Sequence, residues 1–252
     1  MSFGNRRIHY FHANATAVGG VLERPFRKDI PTQAPTSLSP SGGSDEASTT
    51  NFQFEKIITA NATRSRVEGH MTGGLAITRA LSVVEGVNVL DMVRADELVA
   101  YISTEHPGEG PDVPRVDFGR TSITGLRLGD SILKVHLDLS ILNNGNGKRF
   151  PKKPYLQDKA LWKKVDQKFN PDKGSLQCSL VEEIEVIRGK LPGKLIQPNT
   201  VEIPNFGQVH LAELLLSGNS YELIMMRLEL GCPVVGSSSM ASNVVNGKGG
   251  GP

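Results

Sequence analysis

The chain has 252 residues, 28 lysines and arginines against 26 aspartates and glutamates, and 38% hydrophobic residues. That length buries enough surface to fold without disulfide staples, as one large all-β domain or two small ones, and a net charge of +2 is too small to imply a polyanion partner for the whole molecule. Its two cysteines, Cys178 and Cys232, match no metal-ligand spacing and read as small buried apolar residues, and no run approaches the roughly twenty apolar residues of a membrane helix.

A secretory leader needs a basic start, an apolar run and a small-residue cleavage site, and MSFGNRRIHYFHANATAVGG does not present these in order. The expectation is a chain that stays in the cytoplasm or leaves by a signal-independent route.

Residues 8–22 read as a strand, with Phe11, Ala13, Ala15 and Ala17 on one face and Tyr10, His12, Asn14 and Thr16 on the other. Alanine is a poor strand former, so a closely packed second layer is implied. Residues 25–50, with Pro25, Pro31, Pro35, Pro40 and SPSGGSDEASTT, read as an extended surface connection.

Segment 52–67 can be laid over 87–102 at an offset of 35, matching Phe52, Phe54, Ile58, Ala60 and Val67 to Val87, Val89, Val93, Ala95 and Ile102. Two copies are too few for a repeat protein and read as a duplicated strand pair. In residues 75–103 apolar residues recur with period two. Strict alternation sets Glu85, Val87, Val89 and Asp91 on one face and Asn88, Leu90 and Met92 on the other, so both faces are expected to be partly buried.

After a Gly and Pro loop at 105–117, two short strands flank Gly129-Asp130, and NNGNGK at 143–148 is a turn cluster. The one helix candidate is 156–169, with Leu161, Val165 and Phe169 at four-residue spacing and Trp162 beside them. From Ser175 the strand pattern returns. Gly218-Asn219 reads as a hairpin turn, and simple alternation puts Ile224, Met226, Leu228 and Leu230 on one face with Tyr221, Leu223, Met225, Arg227 and Glu229 opposite. Residues 247–252 read as a disordered tail.

The order of these segments resembles the choice-of-anchor P group of bacterial, mostly actinobacterial, secreted and surface domain proteins. The likeness covers about residues 8–240 and lies in SVVEGVNVLDMVRADELVAYIS, TSITGLRLGDSI, NTVEIPNFGQVHLAELLL and MRLELGCPVVGSSSMAS. It implies a non-enzymatic structural or binding role and no catalytic residues. The chain departs from the group in its charge content and in the basic segment 148–173.

That segment carries nine cations against three aspartates, a local charge of +6, and leaves the rest of the chain at −4. Lysines interleaved with aromatic rings suit an anionic polymer, so Lys152, Lys153, Tyr155, Trp162, Lys163, Lys164 and Lys168 are candidate partner-binding residues. The competing reading is an amphipathic helix whose lysines are merely solvated. Arginine is nearly absent there, so nucleic acid is not the expected partner.

His9 and His12 point to opposite faces of a strand, whereas His136 and Asp138 share one, and Glu105-His106 is placed in a loop. Without a nucleophile motif, a metal-ligand pair or a phosphate loop beside them, no enzyme, metal or cofactor is expected. The reading is a single all-β sandwich or β-roll of ten to fourteen strands with one inserted amphipathic helix. Apolar residues on both faces then predict a structural protein that self-associates into a homo-oligomer or surface assembly. A carbohydrate- or anionic-polymer-binding β module is the alternative, and a hydrolase a distant third.

Overall fold

A computed structural model describes residues 9–108, 113–142, 150–165, 169–170, 174–218, 220–231 and 233–246. The first strands are β1 (Ala13–Arg24), β2 (Lys28–Gln33), β3 (Thr36–Ser37), β4 (Gly43–Phe54), β5 (Ile58–Thr72), β6 (Leu75–Val89) and β7 (Val93–Pro107). Short strands β8 (Arg115–Asp117), β9 (Ser122–Thr124) and β10 (Arg127–Leu128) lead into β11 (Ser131–Leu137). A 3-10 turn at Tyr155–Gln157 precedes helix α1 (Lys159–Val165). The remaining strands are β12 (Phe169–Asn170), β13 (Ser175–Ser179), β14 (Val181–Arg188), β15 (Lys194–Gln197), β16 (Thr200–Ile203), β17 (Gly207–Ser217), β18 (Ser220–Leu230) and β19 (Val235–Asn246).

The fold is an all-β sandwich of two antiparallel sheets with a single helix. The first sheet runs β12-β13-β17-β18-β19-β1-β2, with β16 and β15 added beside β17 and β3 beside β1. The second runs β14-β11-β10-β7-β6-β5-β4, with β8 and β9 also on β7. The chain changes sheets at Leu180, which is fully buried between β13 and β14.

Two expectations are corrected here. Residues 25–50 are not a loop-like connection: β2, β3 and most of β4 lie within them, because Ser and Thr suit a solvated edge strand and prolines are tolerated at edges. The described residues also form nineteen strands, since many are short pieces along the sheet margins.

The sandwich centre is built from small residues. Ala13, Ala15, Ala17, Ala80, Ala100 and Ala241 are buried, which lets the layers approach as the alanine-rich first strand implies. Asn243 bridges them, donating to the carbonyls of Ala80 (3.1 Å) and Ala100 (2.9 Å) across the core. Its oxygen accepts from the Ser82 hydroxyl at 2.7 Å, and Ser82 meets Ser65 at 3.1 Å, so this buried polar chain is satisfied.

Each sheet is crossed by a row of positions where strand pairing skips one or two residues without losing register. In the first sheet the row is Ala212, Met225, Ala241, Ala17 and Ala34; in the second it is Asn51, Asn61, Gly86, Asp96 and Gly125. Alternate members have positive φ: Ala212 (47°), Ala241 (50°) and Ala34 (46°), then Asn51 (53°), Gly86 (64°) and Gly125 (61°). A left-handed residue reverses the pleat, so buried positions step by three across the row instead of two. Val84 is followed by Val87 across Gly86 and Leu211 by Leu214 across Ala212, all buried.

Both faces of β6 and β7 are partly buried, as expected, with Ile77, Val83 and Tyr101 buried opposite Ala80, Val84 and Ile102, whereas in β18 the phase slip corrects the faces assigned by simple alternation. Leu223 and Met225 are fully buried, while Ile224 is partly exposed, so the faces assigned to β18 by simple alternation hold only for Met226, Leu228 and Leu230. The offset of 35 is real in structural terms. It maps hairpin β4–β5 onto β6–β7, places Asn51 on Gly86 and Asn61 on Asp96, and superimposes turns closed by Ile57 N–H to Phe54 (3.1 Å) and Met92 N–H to Val89 (3.0 Å).

Candidate functional site

The basic segment forms less helix than its pattern predicts. α1 ends at Val165, and Phe169 lies in β12 instead of continuing the helix. The Asp158 carboxylate caps α1, accepting from the N–H groups of Ala160 (2.9 Å) and Leu161 (3.3 Å). Leu161 and Val165 are buried in the common core and Trp162 packs against it.

Tyr155 is buried too. Its hydroxyl donates to the Pro114 carbonyl at 3.1 Å and its ring meets Tyr221 edge-on at 5.9 Å, and burial pushes its phenol pKa well above the usual range. The rings that seemed interleaved with lysines are therefore turned inward, because a short amphipathic helix gains more from burying them than from presenting them. Lys152, Lys153, Lys163 and Lys164 are exposed, and Lys168 lies outside the described residues, as does the turn cluster 143–148. Lys164 donates to Asp138 at 2.7 Å. Burial raises the Asp138 pKa, but Lys164 and the Ser140 hydroxyl and N–H outweigh it and hold the carboxyl below its usual range.

The candidate acid-base residues do not converge. His136 contacts Glu185 at 3.1 Å, while Asp138 turns to Lys164 and Ser140. Glu105 and His106 lie in β7 instead of a loop: Glu105 pairs with Arg115, and His106 is buried with its ring centroid 4.7 Å from that of His9. His12, just before β1, is exposed, whereas the neighbouring Phe11 is buried. Cys178 is buried and its thiol is pushed up to about 12, which removes it from nucleophilic chemistry; Cys232 lies outside the described residues. Among the described residues no three His, Cys, Asp or Glu side chains gather as a metal site, and no helix is long and apolar enough to cross a membrane.

A polar cluster that the sequence pattern concealed lies on the outer face of the first sheet. Arg227 donates to Glu213 through Nε (2.6 Å) and Nη2 (2.9 Å), and also to Glu229. His210 Nδ1 lies 3.1 Å from the Thr200 hydroxyl and 3.8 Å from Glu213. His210 and Glu213 are three apart, which in a regular strand means opposite faces; the left-handed Ala212 between them puts both on the same face, where both are nearly buried. Nearby Glu222 is half-buried, and burial, with the Glu213 charge second, raises its pKa. Beside Glu229 opens a cleft of about 780 Å³ between residues 190–194 and the 203–208 turn, lined by Leu191, Pro192, Glu202, Asn205 and Gln208.

The remaining feature is the flank where β14 and β15 lie. Among the described residues, β14 is the last strand of the second sheet and pairs only with β11, and β15 pairs only with β16. Val186 and Ile187 on β14, and Leu195 and Ile196 on β15, are 43%, 53%, 45% and 40% exposed. They are four of the eight large apolar side chains exposed among the described residues, so half of that surface falls within an eleven-residue stretch. Val186 and Leu195 sit opposite Leu133 and Val201, both buried, and so belong to the core-facing pattern of strands that the other sheet does not cover.

Fold and site together define a non-barrel β-sandwich with an uncovered flank and no assembled catalytic constellation among the described residues. The chain belongs to the family described as Domain of unknown function (DUF8256), whose profile matches residues 9–170 and 155–217. No curated protein and no solved structure matches it.

Proposed function

We propose that this is a non-enzymatic structural protein that self-associates into a homo-oligomer through the β14–β15 flank. The observation that supports the reading is the exposure of Val186, Ile187, Leu195 and Ile196 on two strands consecutive in sequence, each at the margin of its sheet, with Val186 and Leu195 in the core-facing pattern. Exposed apolar surface costs about 25 cal/mol for each Å², and contiguous patches of several hundred Å² mark interaction sites. Apolar residues on both faces of the long strands no longer argue for assembly, because Ile77, Val83, Tyr101, Leu223 and Met225 are already buried within one chain. The likeness of segment order to bacterial surface domains is consistent with a structural role.

Light scattering coupled to size-exclusion chromatography tests this. The wild type is expected to be oligomeric at about 10 μM, a concentration that an interface with micromolar dissociation constant occupies, and Ile187→Lys with Ile196→Lys is expected to give a folded monomer. A wild type that is monomeric up to about 100 μM would end the self-association reading. The binding-module reading would then take its place, with the open cleft and its amide and carboxylate groups as a carbohydrate site testable on a glycan array.

A further inference from the structure

Three turns meet at one end of the sandwich: residues 24–28 between β1 and β2, 54–58 between β4 and β5, and 89–93 between β6 and β7. Lys28 pairs with Glu55, which ties the first turn to the second across the two sheets, and the Leu90 N–H donates to the Ile57 carbonyl at 2.9 Å, which ties the second to the third. Phe26 stands at the apex of the first turn and is 81% exposed, more than any other large apolar side chain among the described residues. Leu90, on the third turn, is 40% exposed. None of these residues belongs to the β14–β15 flank.

The charge around these apolar tips has one sign left over. The three turns hold the cations Arg24, Arg27, Lys28 and Lys56 and the acids Glu55 and Asp91. Both acids are already engaged, Glu55 by Lys28 and Asp91 by Arg94 at 3.1 Å, whereas Arg24, Arg27 and Lys56 are exposed and have no ion pair among the described residues. Glu23 and Asp29 flank the first turn, each one residue further from its apex than Arg24 and Lys28. We propose that this end of the sandwich docks on an anionic lipid bilayer, with Phe26 and Leu90 entering the interfacial layer and Arg24, Arg27 and Lys56 lying against the headgroup phosphates.

The layering of the tip matches the layering of such a surface. An anionic bilayer presents phosphate outside and acyl chain beneath, so an apolar apex bracketed by cations meets both at their own depths. Long cationic side chains keep their charged heads at the phosphates while their stems lie along apolar surface. A flat acidic protein face would match the cations but offer no apolar depth to a ring that stands out from the apex of a turn. The surface is formed by side chains at the ends of strands, and no membrane-crossing segment takes part in it.

Co-sedimentation of the full chain with vesicles tests the proposal. Binding is expected to vesicles of equal parts phosphatidylserine and phosphatidylcholine and not to phosphatidylcholine alone, and it should weaken between about 0.1 M and about 0.5 M salt. Phe26→Ser should weaken it at least about tenfold, and Arg24→Gln, Arg27→Gln and Lys56→Gln roughly fivefold each; circular dichroism and melting of these surface variants should match the wild type. Phe26→Trp should shift its emission to the blue on anionic vesicles, beyond any change in the wild type with its single Trp162. A wild type that ignores anionic vesicles overturns the proposal. So does binding that survives the tip variants and is lost with Lys152→Gln, Lys153→Gln and Lys163→Gln combined, which would place the lipid surface on the basic segment. Tip-dependent binding to soluble heparin without vesicle binding would make the tip a polyanion site and end the bilayer reading. The oligomeric state of the wild type decides the self-association reading separately.

Discussion

Asn243 shows how much one residue can carry in this sandwich. Its side chain joins a strand of the first sheet to the carbonyls of Ala80 and Ala100 in the second, with Ser82 accommodated in the same chain of bonds. Asn243→Ala would leave those buried groups without their partner, at a cost of about 1–3 kcal/mol, which urea denaturation of wild type and variant would measure. Glu222 is a case of the opposite sign. Burial first, and Glu213 second, raise its folded pKa above that of the unfolded chain, so the folded state holds the extra proton and stability falls as pH rises through that interval. Glu222→Gln should therefore raise the melting temperature at pH 7, with the gain shrinking toward about pH 4, where the carboxyl is protonated in both states. Neither role was legible beforehand, because Asn243 sits in ordinary strand sequence and finds its partners on distant strands, and Glu222 owes its burial to the assembled sheet.

Among the elements, the strands beside the phase-slip rows are the most constrained. Gly86 has φ of 64°, and a Cβ there would lie 2.2 Å from the Asn61 side-chain nitrogen. Gly86→Ala should thus destabilise by about 1–3 kcal/mol through strain alone, and more once Asn61 is displaced. Gly73→Ala is the control: its φ is also positive, at 57°, but nothing lies within 4 Å, so chemical denaturation should show the smaller loss. The helix is likewise bound into the fold instead of appended to it. Leu161 is 4% exposed within the shared core, so Leu161→Ala should cost about 2–5 kcal/mol by lost burial and a residual cavity. A loss below about 0.5 kcal/mol, the scale of surface substitutions, would show the segment to be a peripheral decoration.

For the whole molecule, the two sheets bury their inner faces against each other, and half of the exposed large apolar side chains of the described residues lie on β14 and β15. If that flank joins two copies, folding and association are linked, and the melting temperature should rise with protein concentration. Differential scanning calorimetry over a hundredfold concentration range would check this, and a concentration-independent transition would detach stability from assembly.

Alternation, turn residues and the lack of long apolar helical runs determined the all-β class, the hairpin of β17 and β18, the alanine-lined inner face of β1 and the duplicated strand pair, because these rest on local backbone preferences and side-chain period; the turn at Leu90–Met92 was not legible, since alternation alone continues the strand through it. Tertiary structure alone decided which face each half of a strand presents. The reversal depends on left-handed residues such as Ala34, Ala212 and Ala241, and alanine carries no local signal for that conformation. Those residues adopt it where neighbouring strands interrupt their pairing at the same row, and the same slip brings His210 beside Glu213 and buries Leu223. The inward turn of Tyr155 and Trp162, and the exposure of Val186 and Leu195, have the same origin: burial depends on how far the opposite sheet extends, which only the assembled layers determine.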